Sequence, residues 1–384
     1  MGLSFGKEWK ELKEIEKIPL EQKFIVFYAE NKASMNHFKA LIFELTEKMN
    51  FHICYVTSVK DDLMLTSKNQ KIKSFYIGDG AARTKFFLTL KAKIMIMDMP
   101  DLDRFHIKRS KVYPVHYIYI FHSMFSVHSY LREGAIDNFD TIFCVGEHHI
   151  NEIRETEKVY KLKPKKLLPY GFPRLDTLMN QKQNFKQENL EFKELILITP
   201  SYGKNNLLET CGLELIDILL KSNFRVLVRP HFKILKESKK LMKKINDEFG
   251  MNPDFILEEG IITTELFQSS TCMISDWSGI SLEYAFTFER SVIFIDVPKK
   301  ILNPNSGKIS LEPIEISIRH KVGHVILPAR IKEIPNLIIK LNEDKKNDER
   351  IRNIRSKTVY NLGKSAHVGA EYIQKLSKEL CLNN

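Results

Sequence analysis

The sequence lacks any hydrophobic run long enough to cross a membrane. A transmembrane helix needs about 18 or more consecutive apolar residues, and no such stretch occurs among the 384 residues. The N-terminus is charged from Lys7 to Lys17, which excludes a signal-peptide pattern, and Gly2 lacks the downstream Ser or Thr that favours myristoylation. We therefore expect a globular protein that is made and kept in the cytosol, with a chain long enough for two domains.

Cysteine is scarce and never paired in sequence. The five cysteines are far apart and form no CxxC pair, so neither a disulfide framework nor a zinc site is indicated. We expect reduced, mostly buried thiols. No convincing Asp-x-Asp metal site occurs either, so no metal site and no cofactor is predicted, and a metal requirement stays open.

Three nucleotide and hydrolase motifs are also missing. The absence of GxGxxG argues against a dinucleotide oxidoreductase, and the absence of a Walker A motif argues against a P-loop NTPase. Without a GxSxG elbow, an α/β-hydrolase mechanism is not expected.

Acidic residues are fewer than basic residues, 48 against 59. The formal net charge of +11 and pI near 9.1 favour anionic partners. Nucleic acid is not expected, because zinc-finger spacing, RNA-recognition aromatics and a basic helix with heptads are all missing. One amphipathic stretch, Phe5 to Ile18, is a candidate for contact with an anionic membrane surface. A helix docked on its own domain explains that stretch equally well.

What the chain does have is a regular alternation of apolar strand-like runs and helical stretches. This alternation predicts an α/β fold with doubly wound parallel sheets. A polar segment rich in Gln, Asn and Lys interrupts it, so we predict an N-terminal Rossmann-like domain over 1–180, a linker over 181–194 and a C-terminal Rossmann-like domain with terminal helices over 195–384.

The most informative stretch runs from Thr271 to Phe286 and predicts strand, tight turn and helix. Its turn, Ser275-Asp276-Trp277-Ser278-Gly279, leads into a helix whose unpaired N–H groups and positive dipole end favour an anionic group, above all a phosphate. An ordinary helix cap is the simpler interpretation of the Ser-Asp pair.

A second polar turn, Arg229-Pro230-His231, follows the apolar run Phe224 to Val228. In a parallel sheet the carboxyl ends of both strands open onto the same edge, so the two turns are expected to lie close together. Taken alone, an Arg-Pro-His turn is most often a surface turn.

Five short motifs, in this order, resemble the CDP-glycerol glycerophosphotransferase family, which includes teichoic-acid and capsule alditol-phosphate transferases. Over roughly Tyr117 to Leu380 the motifs are Phe121-His122-Ser123, Gly171-Phe172-Pro173-Arg174-Leu175-Asp176, Arg229-Pro230-His231, Ser275-Asp276-Trp277-Ser278-Gly279 with Glu283-Tyr284, and Gly363-Lys364-Ser365-Ala366.

The resemblance implies a GT-B type fold, with two Rossmann-like domains facing a cleft and the CDP-alcohol held mainly by the C-terminal domain. It implies transfer of an alditol phosphate to an acceptor hydroxyl with release of CMP. The chain departs from the usual family pattern at Ser123, where Gly is usual, and at Trp277-Ser278-Gly279, where Tyr-Ser-Ser is common. The first departure bears on the acceptor side and the second on donor preference.

On this basis His122 is the expected general base, because neutral imidazole can take a proton near neutrality. Two further residues, Arg229 and His231, are expected on the donor diphosphate. An ion pair for Arg229 and a turn cap for His231 are the alternatives.

The other candidate residues lie on the central turn and the second motif. We expect Ser275, Ser278 and Gly279 at the diphosphate, Asp276 as a cap or as the partner of a donor hydroxyl, and Glu283 at ribose or alditol hydroxyls or as a cap. Arg174 and Asp176 are possible site residues, with an intradomain pair as an equal alternative.

The predicted function is a transferase at the inner face of the cell membrane, acting on a glycan or lipid-linked acceptor with a CDP-alditol donor. A nucleotide-sugar glycosyltransferase or sugar epimerase on the same fold is the enzymatic alternative, because fold does not fix function. A non-catalytic scaffold at the membrane surface is the third possibility.

Overall fold

The computed structural model describes residues 6–184, 193–260, 264–299, 302–344 and 347–382. The chain divides into two compact units. The first comprises Met1–Asp176, Leu302–Leu311 and Thr358–Asn384, and the second comprises Thr177–Ile301 and Glu312–Lys357. Each unit is built around one parallel sheet, which confirms the predicted α/β architecture.

The first unit contains a seven-stranded parallel sheet in the order β3-β2-β1-β4-β5-β6-β7. Its central strands are continuous apolar runs because helices cover both faces of such a sheet. The strand order reverses between β1 and β4, which is where ligands bind in open α/β sheets. The strands are β1 (Ile25–Ala29), β2 (Ile53–Thr57), β3 (Ile72–Tyr76), β4 (Ile94–Met97), β5 (His116–Ile120), β6 (Thr141–Cys144) and β7 (Lys166–Pro169).

The second unit contains a six-stranded parallel sheet in the order β10-β9-β8-β11-β12-β13, which reverses between β8 and β11. The strands are β8 (Leu195–Thr199), β9 (Arg225–Val228), β10 (Phe255–Leu257), β11 (Ser270–Ser275), β12 (Val292–Ile295) and β13 (Gly323–Ile326). The sequence analysis does not predict β13. Its first residue, Gly323, pairs with Val292, and an added Cβ there would lie 1.9 Å from the Val292 carbonyl oxygen. Only glycine permits that approach.

Helices connect the strands, and a π-helical stretch, Glu44–Lys48, continues α2. The helices are α1 (Lys7–Lys17), α2 (Met35–Phe43), α3 (Ala81–Thr89), α4 (Val127–Tyr130), α5 (Glu147–Val159), α6 (Pro173–Asn184), α7 (Leu213–Lys221), α8 (Phe232–Glu237), α9 (Lys239–Phe249), α10 (Thr264–Ser269), α11 (Ile280–Phe288), α12 (Ile314–Ser317), α13 (Arg319–Val322), α14 (Ile334–Glu343), α15 (Asn347–Thr358) and α16 (Ser365–Leu382).

The last helix belongs to the first unit, which differs from the predicted domain over 195–384. Ala370, Ile373 and Leu376 of α16 join the core that contains Phe38 and Leu41 of α2. Burial of an isoleucine or leucine side chain contributes roughly 1.5–3 kcal/mol, so the apolar stripe determines where the helix packs. Of the predicted linker over 181–194, residues 185–192 lie outside the described residues.

The amphipathic stretch at the N-terminus is helix α1, and it packs on its own unit. Leu12 and Ile15 are only 2% and 3% exposed, and the helix contacts β3 and α3. The interpretation of a helix docked on its own domain is therefore correct for its apolar face, while Phe5 lies outside the described residues. None of the described helices combines the length and apolarity needed to span a bilayer.

Candidate active site

The first candidate edge lies at the carboxyl ends of β4 and β5 in the first unit. Asp98 follows β4 directly, and His122 follows β5 after one further residue. The Nδ1 atom of His122 lies 3.3 Å from the main-chain oxygen of Asp98. A carbonyl oxygen can only accept, so Nδ1 carries the hydrogen and Nε2 of the neutral ring keeps its lone pair. That is the tautomer a general base needs.

Burial keeps the His122 ring uncharged near neutrality. The side chain is half-buried, and loss of hydration lowers its pKa below the ordinary value, although the bond to Asp98 raises it in part. A neutral imidazole with an open Nε2 can accept a proton from a hydroxyl group. The geometry thus agrees with the role expected of His122.

His37 of α2 is a neighbour that the sequence did not single out. Its ring centroid lies 6.4 Å from that of His122 and 5.8 Å from that of Phe172. Burial lowers the pKa of His37 well below its usual range, and the positive charge of Arg174 acts in the same direction. It is therefore an uncharged ring, and its only sequence signal is its place on the helix that follows the first strand.

The sequence analysis also did not identify Asp98 as a residue of this edge. It is 6% exposed, and its Oδ1 accepts a hydrogen bond from Ser34 Oγ at 3.0 Å. Burial raises the pKa of Asp98 to about 7. Its position at a strand end was the available signal.

Two of the sequence motifs prove to be one structural unit. The carboxylate of Asp176 accepts from the main-chain N–H of Gly363 at 2.7 Å and of Ser365 at 3.1 Å, at the start of α16. The Phe172 N–H in turn donates to Ser365 Oγ at 3.1 Å. Asp176 is thus bound to the tail motif, whereas Arg174 is one of the charges that act on His37.

The second candidate edge lies at the ends of β8 and β11, at the reversal point of the second sheet. Asp276 is 1% exposed, and its carboxylate accepts from the N–H groups of Ser201 (2.6 Å), Leu207 (3.0 Å) and Trp277 (2.7 Å). Ser275 Oγ donates to the Thr199 carbonyl at 2.7 Å. Both side chains are engaged within the protein, so they shape the loop after β8.

Helix α11 begins immediately after this turn. Its N-cap is Gly279, without a side-chain cap, and the half-buried Ser278 supplies a carbonyl that accepts from Ser281 N at 3.1 Å. The positive end of the helix dipole therefore lies at Ser278-Gly279, as predicted. Glu283 lies one turn into the helix and is 8% exposed.

Arg229 and His231 follow β9, which pairs with β8, and so reach the same edge. The Nδ1 atom of His231 accepts from Lys233 N at 3.2 Å and caps α8, which is the turn-cap alternative. The hydrogen of the neutral ring is then on Nε2, where it can be donated to a ligand. The ring packs on Tyr202, with centroids 4.7 Å apart.

A cluster around Trp277 also escaped the sequence interpretation. The Arg319 guanidinium lies 3.7 Å from the Trp277 ring centroid and bonds Asp296 Oδ1 at 2.8 Å. The indole N–H donates to the Val297 carbonyl at 2.9 Å. These contacts fix the residue before Ser278. Within the described ranges, no group of three or more His, Cys, Asp or Glu side chains is placed to hold a metal ion.

Comparison with known proteins assigns the chain to a family. The family model described as CDP-glycerol:poly(glycerophosphate) glycerophosphotransferase matches residues 13–298, more than half of the sequence. The chain belongs to this family. The resemblance to this family is thereby confirmed, with the first four motifs inside the matched residues, and the protein is a transferase of the glycerophosphotransferase family. None of the curated proteins compared with it matches.

Solved structures share the fold at low identity. The UDP-GlcNAc 2-epimerase of Methanocaldococcus jannaschii, in complex with UDP-GlcNAc and UDP, has a TM-score of 0.58 and 14% identity, over 91% of this chain and 99% of that one. The epimerase of Neisseria meningitidis has a TM-score of 0.57 and 15% identity, over 91% and 99%. A glycosyltransferase from Rickettsia africae has a TM-score of 0.53 and 11% identity, over 94% and 100%. The predicted GT-B type of fold is confirmed.

Proposed function

We propose that this glycerophosphotransferase-family protein transfers glycerol phosphate, or a related alditol phosphate, from a CDP-alditol to a hydroxyl of a cell-envelope glycan or lipid-linked acceptor. The observation that carries the proposal is the His122 ring, whose Nδ1–H is bound to the Asp98 carbonyl so that Nε2 is available as a base. Family membership supports the reaction class.

In the proposed reaction His122 Nε2 removes the proton of the acceptor hydroxyl. The acceptor oxygen attacks the phosphorus that carries the alditol, a new P–O bond forms, and the P–O bond to CMP breaks. CMP leaves with the electron pair of that bond. The proton stays on His122 until solvent removes it, so the step needs no oxidant or reductant.

The donor diphosphate is assigned to the edge of the second unit. There a helix N-terminus at Ser278-Gly279 and the polar turn Arg229 to His231 follow neighbouring parts of one sheet, around the reversal between β8 and β11. Backbone N–H groups, the Ser278 hydroxyl, a guanidinium and the Nε2–H of His231 are all donors to phosphate oxygen. They stabilise the charge that develops on the leaving phosphate.

We expect cytidine nucleotides to stabilise the folded protein. CMP, CDP-glycerol and CDP-ribitol should raise the midpoint of thermal unfolding, because a ligand at 100 times its dissociation constant stabilises the native state by about 2.7 kcal/mol. The measurement is a thermal-shift panel that also contains UDP-sugars and GDP-sugars. A response to UDP- or GDP-sugars, with none to cytidine compounds, would favour the nucleotide-sugar glycosyltransferase instead.

Two variants test whether the cytidine nucleotides bind at the edge of the second unit. His231→Ala and Ser278→Ala should each weaken CDP-glycerol binding by roughly 1–3 kcal/mol, the range for a lost hydrogen bond to a charged group. The matched control is His324→Ala, at an exposed histidine of the edge strand β13, which should bind normally. Equal binding by all three variants would remove the diphosphate from this edge.

We also propose that the protein associates with anionic membranes through α9 rather than α1. Helix α9 buries Met242, Ile245 and Phe249, while its lysines at 239, 240, 243 and 244 are all exposed. Lys236 of α8 extends this basic face, which Asp247 and Glu248 of the last turn counter in part. Exposed lysines near a surface of acidic lipid contribute about 1 kcal/mol each.

The test is sedimentation with vesicles of phosphatidylglycerol and phosphatidylcholine. The unmodified chain should bind, and binding should fall as salt rises. Combined Lys240→Glu, Lys243→Glu and Lys244→Glu should weaken binding more than about 100-fold, at about 1 kcal/mol per lost lysine. Lys10→Glu, Lys13→Glu and Lys17→Glu on α1 form the matched control. Binding indifferent to salt and to acidic lipid would contradict the proposal.

A further inference from the structure

The main chain after β4 fixes the His122 ring, and the side chain of Asp98 is itself tied to another element. Ser34, which is 0% exposed, ends the short helical turn before α2, and its hydroxyl donates to Asp98 Oδ1 at 3.0 Å. Ser34 follows β1 and Asp98 follows β4, the two strands between which the sheet order reverses. One hydrogen bond therefore bridges the reversal point and holds the residue whose carbonyl binds His122 Nδ1.

A second buried carboxylate in the same unit shows what an Asp with a purely structural role looks like. Asp62 accepts from Tyr55 Oη (2.9 Å), Thr57 Oγ1 (2.8 Å) and Met64 N (3.0 Å). For Asp98 the donors among the described residues are fewer: the Ser34 hydroxyl and the main-chain N–H of Asp98 itself. Since a buried carboxylate with few donors is costly, its place beside His122 indicates function rather than folding.

Among the residues that the structure describes, no cation lies close enough to Asp98 to compensate its charge. The titratable groups that face it are Glu30, Tyr55, Tyr119 and, through its main chain, His122. Within the described ranges it forms no ion pair, and the hydroxyl of Tyr119 is buried without a hydrogen-bond partner. Ser34 is thus the residue of another element that orients the carboxyl group.

We propose that Ser34 and Asp98 are positioning residues for His122: their hydrogen bond holds the Asp98 carbonyl in the direction that fixes the proton of His122 on Nδ1. This inference rests on the proposed function, in which Nε2 is the base. Neither residue touches substrate in this scheme. They act only through the ring of His122.

The strength of the hydrogen bond between Ser34 and Asp98 is expected to depend on pH. An ionised carboxylate accepts the Ser34 hydrogen bond more strongly than a protonated one. Burial raises the pKa of Asp98 to about 7, so the positioning bond strengthens, and turnover rises, as pH increases through about 7. Asp98→Asn removes the titration of Asp98, so the pH profile of turnover should then show only the loss of activity at lower pH that protonation of His122 causes.

The experiment reads the tautomer directly. In ¹⁵N-labelled protein the ring nitrogen resonances of His122 can be assigned by their loss in His122→Gln. They should report hydrogen on Nδ1, and they should shift near pH 7, where Asp98 titrates. In Ser34→Ala and Asp98→Ala, which each remove one partner of the bond, the two tautomers should mix. Turnover should fall about tenfold, as for the loss of one hydrogen bond, with little change in KM. Asp62→Asn is the matched control and should leave the tautomer unchanged.

The outcomes separate this inference from the proposed function. If the unmodified chain does not turn over CDP-glycerol, the proposed function fails, while the resonances still test the positioning bond. Hydrogen on Nε2 in the unmodified chain, or an unchanged tautomer in both variants, would overturn the inference. The measurement on the unmodified chain decides the matter even if a variant does not fold.

Discussion

Replacement of His122 by alanine is expected to lower turnover of CDP-glycerol at least about 100-fold, the usual range for loss of a general base. Donor affinity should change little, because the diphosphate is assigned to Arg229, His231 and the start of α11. Activity of the unmodified protein should fall at acidic pH, since burial keeps the pKa of His122 below its ordinary value and only the neutral ring accepts a proton.

The measurement is a comparison of kcat and KM for the donor, together with direct binding of CMP. His52→Ala, at an exposed histidine of the same unit, is the control and should behave like the unmodified chain. A variant that loses donor binding as much as rate would make His122 a donor ligand instead. Unchanged turnover would leave the scaffold interpretation standing.

Much of the fold could be predicted because the strands of a parallel sheet are continuous apolar runs in the sequence. The apolar runs that precede Arg229 and Ser275 are the strands β9 and β11, and the polar turns after them do lie at a carboxyl edge. This follows from local chemistry, since a strand covered on both faces must be apolar and its end must be polar.

What could not be predicted depends on contacts between distant segments. Local periodicity identifies α16 as a helix but does not say which core its Ile373 joins. It likewise does not reveal that β13 can form because Gly323 lets two backbones approach. The partners of Asp276, in a loop that follows β8, and the bond between Ser34 and Asp98 are of the same kind. Such pairings depend on the assembled sheet order.

Replacement of Asp276 by alanine is the change expected to cost most stability. The carboxylate accepts three main-chain N–H groups from Ser201, Leu207 and Trp277, and alanine would leave these donors, one buried and two partly buried, without it. Hydrogen bonds to a charged group contribute roughly 1.5–3 kcal/mol each, so we expect the free energy of unfolding of the second unit to fall by at least about 4 kcal/mol. CMP binding should weaken too, because the loop after β8 borders the proposed donor edge.

Tryptophan fluorescence can isolate that unit. The chain contains 2 tryptophans, and Trp9 belongs to the first unit, so a Trp9→Phe background leaves Trp277 as the reporter beside the affected loop. In urea titrations on this background, Ser275→Ala should cost only about 1 kcal/mol, since it loses one bond to the Thr199 carbonyl. Asp217→Asn, on a surface pair with Lys221, should change almost nothing. If Asp276→Ala lost CMP binding yet unfolded like Ser275→Ala, the carboxylate would have to contact the donor itself, and the cap would be the minor role.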